Sequence, residues 1–324
     1  MRSGHRESGH SGMNFLQGPS RKDLFDYPGM SLLRLFFFRR QARRDSQAAS
    51  QIAEKLGHAN LDWRKNEIFK KTDRDVLYIL GSGSSINDLT ESNFETISRG
   101  SSVGINVWAI HPFVPDVYSF ESASQMDGVV GEVEFLEHCL TRPEVLEKRP
   151  GVLLLRQRVA PGETQIIRFP SELLKDVHVY GRVNVVSHEK GNLAKDIELG
   201  LKSIRGGRVP GNVLLDNGAS VVRLVVLGLL QGFREIVLVG VDLDSRPYFW
   251  LADNYAHPDP EVERLFPRRS GVPHDTLETE SRPFAVDEVI VALARISRES
   301  GGVKVMAGST DSTLASRLGV HDWG

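Results

Sequence analysis

The sequence predicts an α/β protein: a Rossmann-like parallel sheet with helices on both faces and an irregular lid over the active site, beginning near Val76. Three observations predict it. Two compact apolar runs, Val76–Leu80 and Glu235–Val241, have the unbroken hydrophobicity of buried parallel strands. Helical patterns alternate with the strand candidates, as in βα units. Several strand candidates then end in Gly, Ser, Asn or Asp, residues suited to ligand sites at the carboxyl ends of such strands.

Taken in order, residues 1–30 are rich in Gly, Ser, His and Arg without apolar period and are predicted to be disordered. Ser31–Gln41 (SLLRLFFFRRQ), followed by Ala42-Arg43-Arg44, predicts a short helix. It would either dock on the domain or anchor at a membrane interface, with aromatics among headgroups and arginines on anionic lipid. Asp45–Leu56 predicts a further amphipathic helix, and a charged linker leads to Arg74. After the strand Val76–Leu80, Ile86–Ile97 reads as a helix, and Ser102–Asn106 and Val117–Phe120 read as strands. Glu132–Leu140 follows as a helix and Gly151–Arg156 as a strand, while Ile166–Lys175 and Val177–Val186 carry weaker patterns. Ala219–Gly228 is an apolar helix and Glu235–Val241 a buried strand. Ala285–Glu299 has Val286, Val289, Ile290, Leu293 and Ile296 at helical spacing, and Gly302–Met306 closes as a strand. This divides the chain into a basic, partly disordered extension, 1–74, and a Rossmann-like domain, 75–324, with a lid at 244–284.

The chain is nearly neutral, with 40 Lys/Arg against 42 Asp/Glu, but the charge is uneven. Residues 1–75 hold 15 Lys/Arg and 9 Asp/Glu, against 25 and 33 in the remainder. A basic head on an acidic body suits an anionic membrane surface. It argues against nucleic acid as a partner, which needs its basic stripe on the folded domain. The lone Cys139 allows no intrachain disulfide and reads as a buried apolar residue, as in a reducing cytoplasm. The N-terminus lacks signal-peptide order, and the run Leu35–Phe38 is far below the ~20 residues of a membrane span. The expected location is cytoplasmic, and the anchoring alternative for residues 31–44 would add peripheral attachment to the inner membrane.

The candidate site gathers at strand ends. Gly81-Ser82-Gly83-Ser84-Ser85 follows the first strand, where glycines admit a phosphate or sugar and the next helix aims its N-terminus at an anion. Ser84 and Ser85 equally suit helix capping. Ile86 occupies the third-glycine position of a dinucleotide fingerprint, and the second strand ends in Asn106 rather than an acid. Both features argue for a nucleotide other than NAD. Asn217-Gly218 at the entrance of the apolar helix offers a further anion or ribose site, or a simple turn. Asp242 and Asp244 form an Asp-x-Asp pair that could hold a divalent metal or cap a loop. The following irregular stretch carries Tyr248, Tyr255, His257 and His274, which could donate to phosphate oxygens or act as a general base.

In this order the segments resemble the bacterial lipooligosaccharide sialyltransferases of glycosyltransferase family 42. The family's Gly-Asn-Gly-Pro-Ser motif is matched by Gly81-Ser82-Gly83-Ser84-Ser85, and its strand-ending Asn by Gly104-Ile105-Asn106. Its helix entrance and "GYKEIYLSGIDF" run are matched by Asn217-Gly218-Ala219 and Gly232–Asp242. The likeness extends in order from about Val76 to Leu318. It implies an inverting, metal-independent transfer of sialic acid, or a related nonulosonic acid such as Kdo, from a CMP-sugar to a glycan or glycolipid acceptor. It further implies His274 as the base, with His257 as competitor, and tyrosines holding the leaving phosphate. The chain departs from the family at Ser82, which replaces Asn, and at Asp244, which replaces a phosphate-binding Tyr, so either Tyr248 or Tyr255 takes that role or the leaving-group site differs. Glu121 stands near the family's nucleotide-binding Asn and joins the expected binding set with Gly81, Ser82, Gly83, Ser84, Asn106, Asn217, Gly218 and Asp242. Two other classes stay open: a Mg²⁺-dependent pterin diphosphokinase-like enzyme using Asp242 and Asp244, and a non-catalytic nucleotide- or glycan-binding module. A homo-oligomer is also open.

Overall fold

A computed structural model describes residues 31–69, 75–120, 138–155, 177–184, 190–251, 255, 260–261 and 284–324. The expected disorder of residues 1–30, the elements placed at 132–137 and 166–175, and most of the lid at 244–284 lie outside these residues.

The described chain opens with α1, Ser31–Leu56, a single 26-residue helix rather than two. No Gly or Pro interrupts it, so nothing breaks the hydrogen-bond ladder at residues 42–44. Asp45 does not start a second helix. It is buried, and its carboxylate accepts the Arg182 N–H at 2.7 Å. Strand β1, Ala59–Asn60, pairs with the sheet next, so residues 31–69 pack into the same body as the rest.

Strand β2, Val76–Leu80, is buried along its whole length. The expected helix 86–97 is instead a 3₁₀ turn, Ser84–Asp88, then α2, Glu91–Ser98. Thr90 is the cause. Its side chain accepts the Asn93 N–H while the Asn93 side chain accepts the Thr90 N–H, a capping box that starts a helix there. Strands β3, Ser101–Ile105, and β4, Val117–Phe120, follow, with Asn106 opening a 3₁₀ turn rather than ending the strand. Then come α3, Pro143–Lys148, β5, Gly151–Leu155, and β6, Val177–Asn184. Two elements absent from the predicted order come next: α4, Leu193–Arg205, and β7, Val213–Asp216. The chain ends with α5, Ser220–Gln231, β8, Glu235–Val239, α6, Val286–Gly301, β9, Lys304–Ala307, and the short α7, Ala315–Leu318.

All described strand pairs are parallel, in the order β1-β6-β5-β4-β3-β2-β8-β9, and β7 also pairs with β6. Two apolar cores form on the sheet. One joins Leu77 and Ile79 to Leu224, Val225, Ile290 and Leu293 of α5 and α6. The other joins Tyr78 and Leu80 to Ile86, Trp108, Tyr118 and Phe249. The fold is the predicted α/β parallel sheet.

Candidate functional site

Chain order runs outward from β2 through β3, β4 and β5 on one side and from β8 to β9 on the other. Strand order therefore reverses between β2 and β8, and ligands of open parallel sheets bind outside the carboxyl ends at such a point. A cleft of about 110 Å³ lies there. Gly81, Ser82 and Gly83 line it from β2, Ile105 from β3, and Ala219, Ser220 and Val221 from the start of α5. Gly240 to Asp244, Arg246 and Tyr248 line it from the segment after β8.

The glycines are held by the sheet itself. Gly81 N–H donates to Val239 O and Gly83 N–H to Gly240 O, both at 2.7 Å. A side chain on Gly83 would collide with the Asp242 carboxylate, so this close approach requires glycine. That carboxylate is committed: Oδ2 accepts Ser85 N–H at 3.0 Å and Oδ1 accepts Ser85 Oγ–H at 2.5 Å. Asp242 thus caps the turn after β2 from 157 residues away. Leu243, at φ 52, is left-handed without being glycine, and such backbone strain concentrates at functional sites.

Arg246 is the cation of the cleft. Its Nε lies 2.6 Å from Asp244, its Nη1 3.2 Å from Asp311 and its Nη2 3.6 Å from Asp242. Partial burial opposes its charge, but the hydrogen bond to Asp244 and the fields of the three carboxylates outweigh that and raise its pKa. Asp242 and Asp244 therefore each hold protein donors, which is not how a metal-binding Asp-x-Asp pair presents itself. Among the described residues no group of three His, Cys, Asp or Glu could hold a metal ion.

A second carboxylate organises the entrance of α5. Asp216 is fully buried; it accepts the Ala219 N–H at 3.3 Å and lies beside the backbone N–H groups of Asn217 and Gly218. Arg223 Nη1 reaches it at 2.8 Å and Arg182 Nη1 at 3.1 Å. Arg223, itself fully buried, also donates to Ser220 Oγ at 3.1 Å and Tyr180 OH at 3.3 Å. Burial raises the Asp216 carboxyl, while Arg182 and the three N–H groups oppose that shift. Burial likewise lowers Arg223. Gly218, at φ 76, permits the turn, and the start of α5 faces the cleft without a side-chain cap.

Among the predicted site residues, the structure gathers Gly81, Ser82, Gly83, Asp242 and Tyr248 at the cleft. Tyr248 bridges to Gly83 and stacks on Trp250, ring centroids 4.5 Å apart. Tyr255 does not line the cleft: it packs edge-on to Phe249 at 5.2 Å, and burial raises its phenol. Ser84 opens the 3₁₀ turn, whose N-cap is Gly83, so neither Ser84 nor Ser85 serves as the expected cap; Asn217 is buried, donating to Phe284 O at 3.1 Å. Asn106 follows β3 in the turn beside Ile105. Glu121, His257 and His274 lie outside the described residues. Cys139 is buried, as predicted.

Sequence reasoning missed Ser85 as partner of Asp242, the Arg246 cluster, and the buried Asp216–Arg223 pair. Only the last had a local signal: Arg223 is the one charge in the helix SVVRLVVLGLLQ, and a charge in such a face needs a partner.

No family model and no curated protein matches the chain. Among solved structures it is similar to the monofunctional α-2,3-sialyltransferase Cst-I from Campylobacter jejuni. Identity there is 14% and the TM-score 0.43, over 80% of this chain and 84% of that one. It is also similar to the sialyltransferase CstII from Campylobacter jejuni in complex with the substrate analogue CMP-3FNeuAc. In that case identity is 12% and the TM-score 0.40, over 78% and 87% of the two chains.

Proposed function

We propose that the chain is an inverting glycosyltransferase that moves a sialic acid, or a related nonulosonic acid such as Kdo, from a CMP-sugar to a surface-glycan acceptor. The observation that carries the reading is the cleft itself. It lies at the sheet's switch point, is floored by Gly81 and Gly83, and is faced by the uncapped start of α5. Backbone N–H groups and a helix dipole suit an anionic ligand such as a nucleotide phosphate. The described cleft is smaller than the ~300 Å³ of ordinary small-molecule sites, so it fits the phosphate end of a donor rather than all of it.

The chemistry follows from those donors. The acceptor hydroxyl oxygen attacks the anomeric carbon from the face opposite CMP, and the carbon–oxygen bond to the phosphate breaks. The bonding pair leaves on the phosphate oxygen. N–H groups at the start of α5 and the Tyr248 hydroxyl stabilise that charge as it grows. His274 takes the acceptor's proton, with His257 as the alternative base. The commitment of Asp242 to Ser85 and of Asp244 to Arg246 favours metal-independent transfer over a Mg²⁺-dependent diphosphokinase. The test is sugar transfer from a CMP-sugar in EDTA, with wild type and His274→Ala. Wild type retains its rate in chelator, and His274→Ala loses at least 100-fold in kcat, within the usual range for a general base. Strict Mg²⁺ dependence, or full activity in both His274→Ala and His257→Ala, would overturn the reading.

A further inference from the structure

The helix α1 has two unlike faces. Phe38, Ala42, Asp45, Ala49 and Ala53 are buried against the domain. On the outward side Phe36, Arg40, Arg43 and Gln47 are spaced by four, three and four residues, which places them in one stripe. Phe36 is 57% exposed, the one large exposed hydrophobic side chain among the described residues. Arg40, Arg43 and Arg44 are exposed, and a concavity of about 520 Å³ runs along Leu35, Phe36, Arg39, Arg40, Arg43 and Arg44. No carboxylate among the described residues pairs with these four arginines, although Arg34 is tied to Asp196 at 3.5 Å.

We infer that this face docks the protein on an anionic lipid bilayer. The first argument is charge complementarity. Three exposed guanidinium groups, those of Arg40, Arg43 and Arg44, meet lipid phosphates, each basic residue contributing about 1 kcal/mol near such a surface. An exposed aromatic beside them inserts at headgroup depth, the combination that marks an interfacial helix. The second argument is orientation. Outside residues 1–75 the chain carries 33 acidic and 25 basic residues, so an anionic surface repels the body and attracts α1. The third is placement. Asp196, the partner of Arg34, lies in the first turn of α4, the crossover helix between β6 and β7. A crossover helix begins at the carboxyl ends of the strands, so the Phe36 end of α1 lies on the same side of the sheet as the cleft. The four strand spacings from β6 to β2 put the two roughly 19 Å apart along the sheet. Docking through α1 therefore turns the cleft toward the bilayer, where a lipid-linked acceptor would be.

The full chain is sedimented with vesicles of phosphatidylcholine, with and without phosphatidylglycerol. Wild type binds only the phosphatidylglycerol vesicles, and less as salt rises. The triple variant Arg40→Gln/Arg43→Gln/Arg44→Gln binds them roughly 100-fold more weakly, three charges at about 1 kcal/mol each. Phe36→Ser weakens binding less, and the part it removes is insensitive to salt. These positions are exposed, so unchanged thermal melting confirms that both variants fold. Equal binding by wild type and triple variant, or equal binding to both vesicle types, overturns the inference. So does binding to a soluble polyanion such as heparin without binding to vesicles. Vesicle binding needs no donor, so its failure is distinct from a failure of the glycosyltransferase reading.

Discussion

The turns after β2 and after β7 both start helical segments at the carboxyl end of the sheet, and both are ordered by an aspartate, yet they are built in opposite ways. Asp242 arrives from a distant strand, caps Ser85, and still lines an open cleft beside Arg246. Asp216 is local to its turn, accepts the Ala219 N–H and is closed off by two arginines. The first site keeps side chains out, through Gly81 and Gly83, and leaves room for a ligand. The second fills its volume with protein and fixes the helix that faces that room. Change at the second should register mainly as stability, and change at the first mainly as ligand binding.

The largest expected effect is at the buried pair. Asp216→Ala leaves Arg223 with an uncompensated charge at full burial and should destabilise the fold by about 3–5 kcal/mol. Urea unfolding measures this. A loss under about 1 kcal/mol would mean that the turn after β7 is no more structural than the turn after β2. Arg246→Ala is the matching change at the cleft. Its side chain is 35% exposed, so stability should change by less than about 1 kcal/mol. Donor KM should rise severalfold while melting stays nearly constant. Melting that falls as far as in Asp216→Ala would make Arg246 a structural residue.

A smaller effect should appear at high pH. Burial pushes the phenols of Tyr118, Tyr180 and Tyr255 above their usual 10.0. The unfolded chain then releases those protons first and binds fewer than the native state. Folding stability is therefore intact below about pH 10 and falls as pH rises through it. Absorbance titration of the six tyrosines should show these three ionising late, together with unfolding.

Strands β2 and β8 were legible because a strand buried on both faces has no polar alternation to obscure it. The span 86–97 misled because its apolar residues fit a helix while Thr90 and Asn93 restart it. Strand β7 has only four residues, too few for a period, although α4 carries Leu193, Ile197, Leu201 and Ile204 at helical spacing. At the site, Gly81, Gly83 and Asp242 could be found because each follows a legible strand. The Ser85–Asp242 bond and the reach of Arg246 to Asp311 join residues 157 and 65 apart, and no local pattern encodes them.

The glycine-floored cleft as a donor site is tested most directly by calorimetric titration of CMP, UDP, GDP and ATP into wild type and Gly83→Ala. Of the four nucleotides, only CMP should bind wild type, and without added metal. In Gly83→Ala the new side chain meets the Asp242 carboxylate, and CMP affinity falls at least tenfold, about 1.4 kcal/mol, in a protein that still folds. Binding of ATP with Mg²⁺ in place of CMP, or CMP binding unchanged in Gly83→Ala, would contradict it.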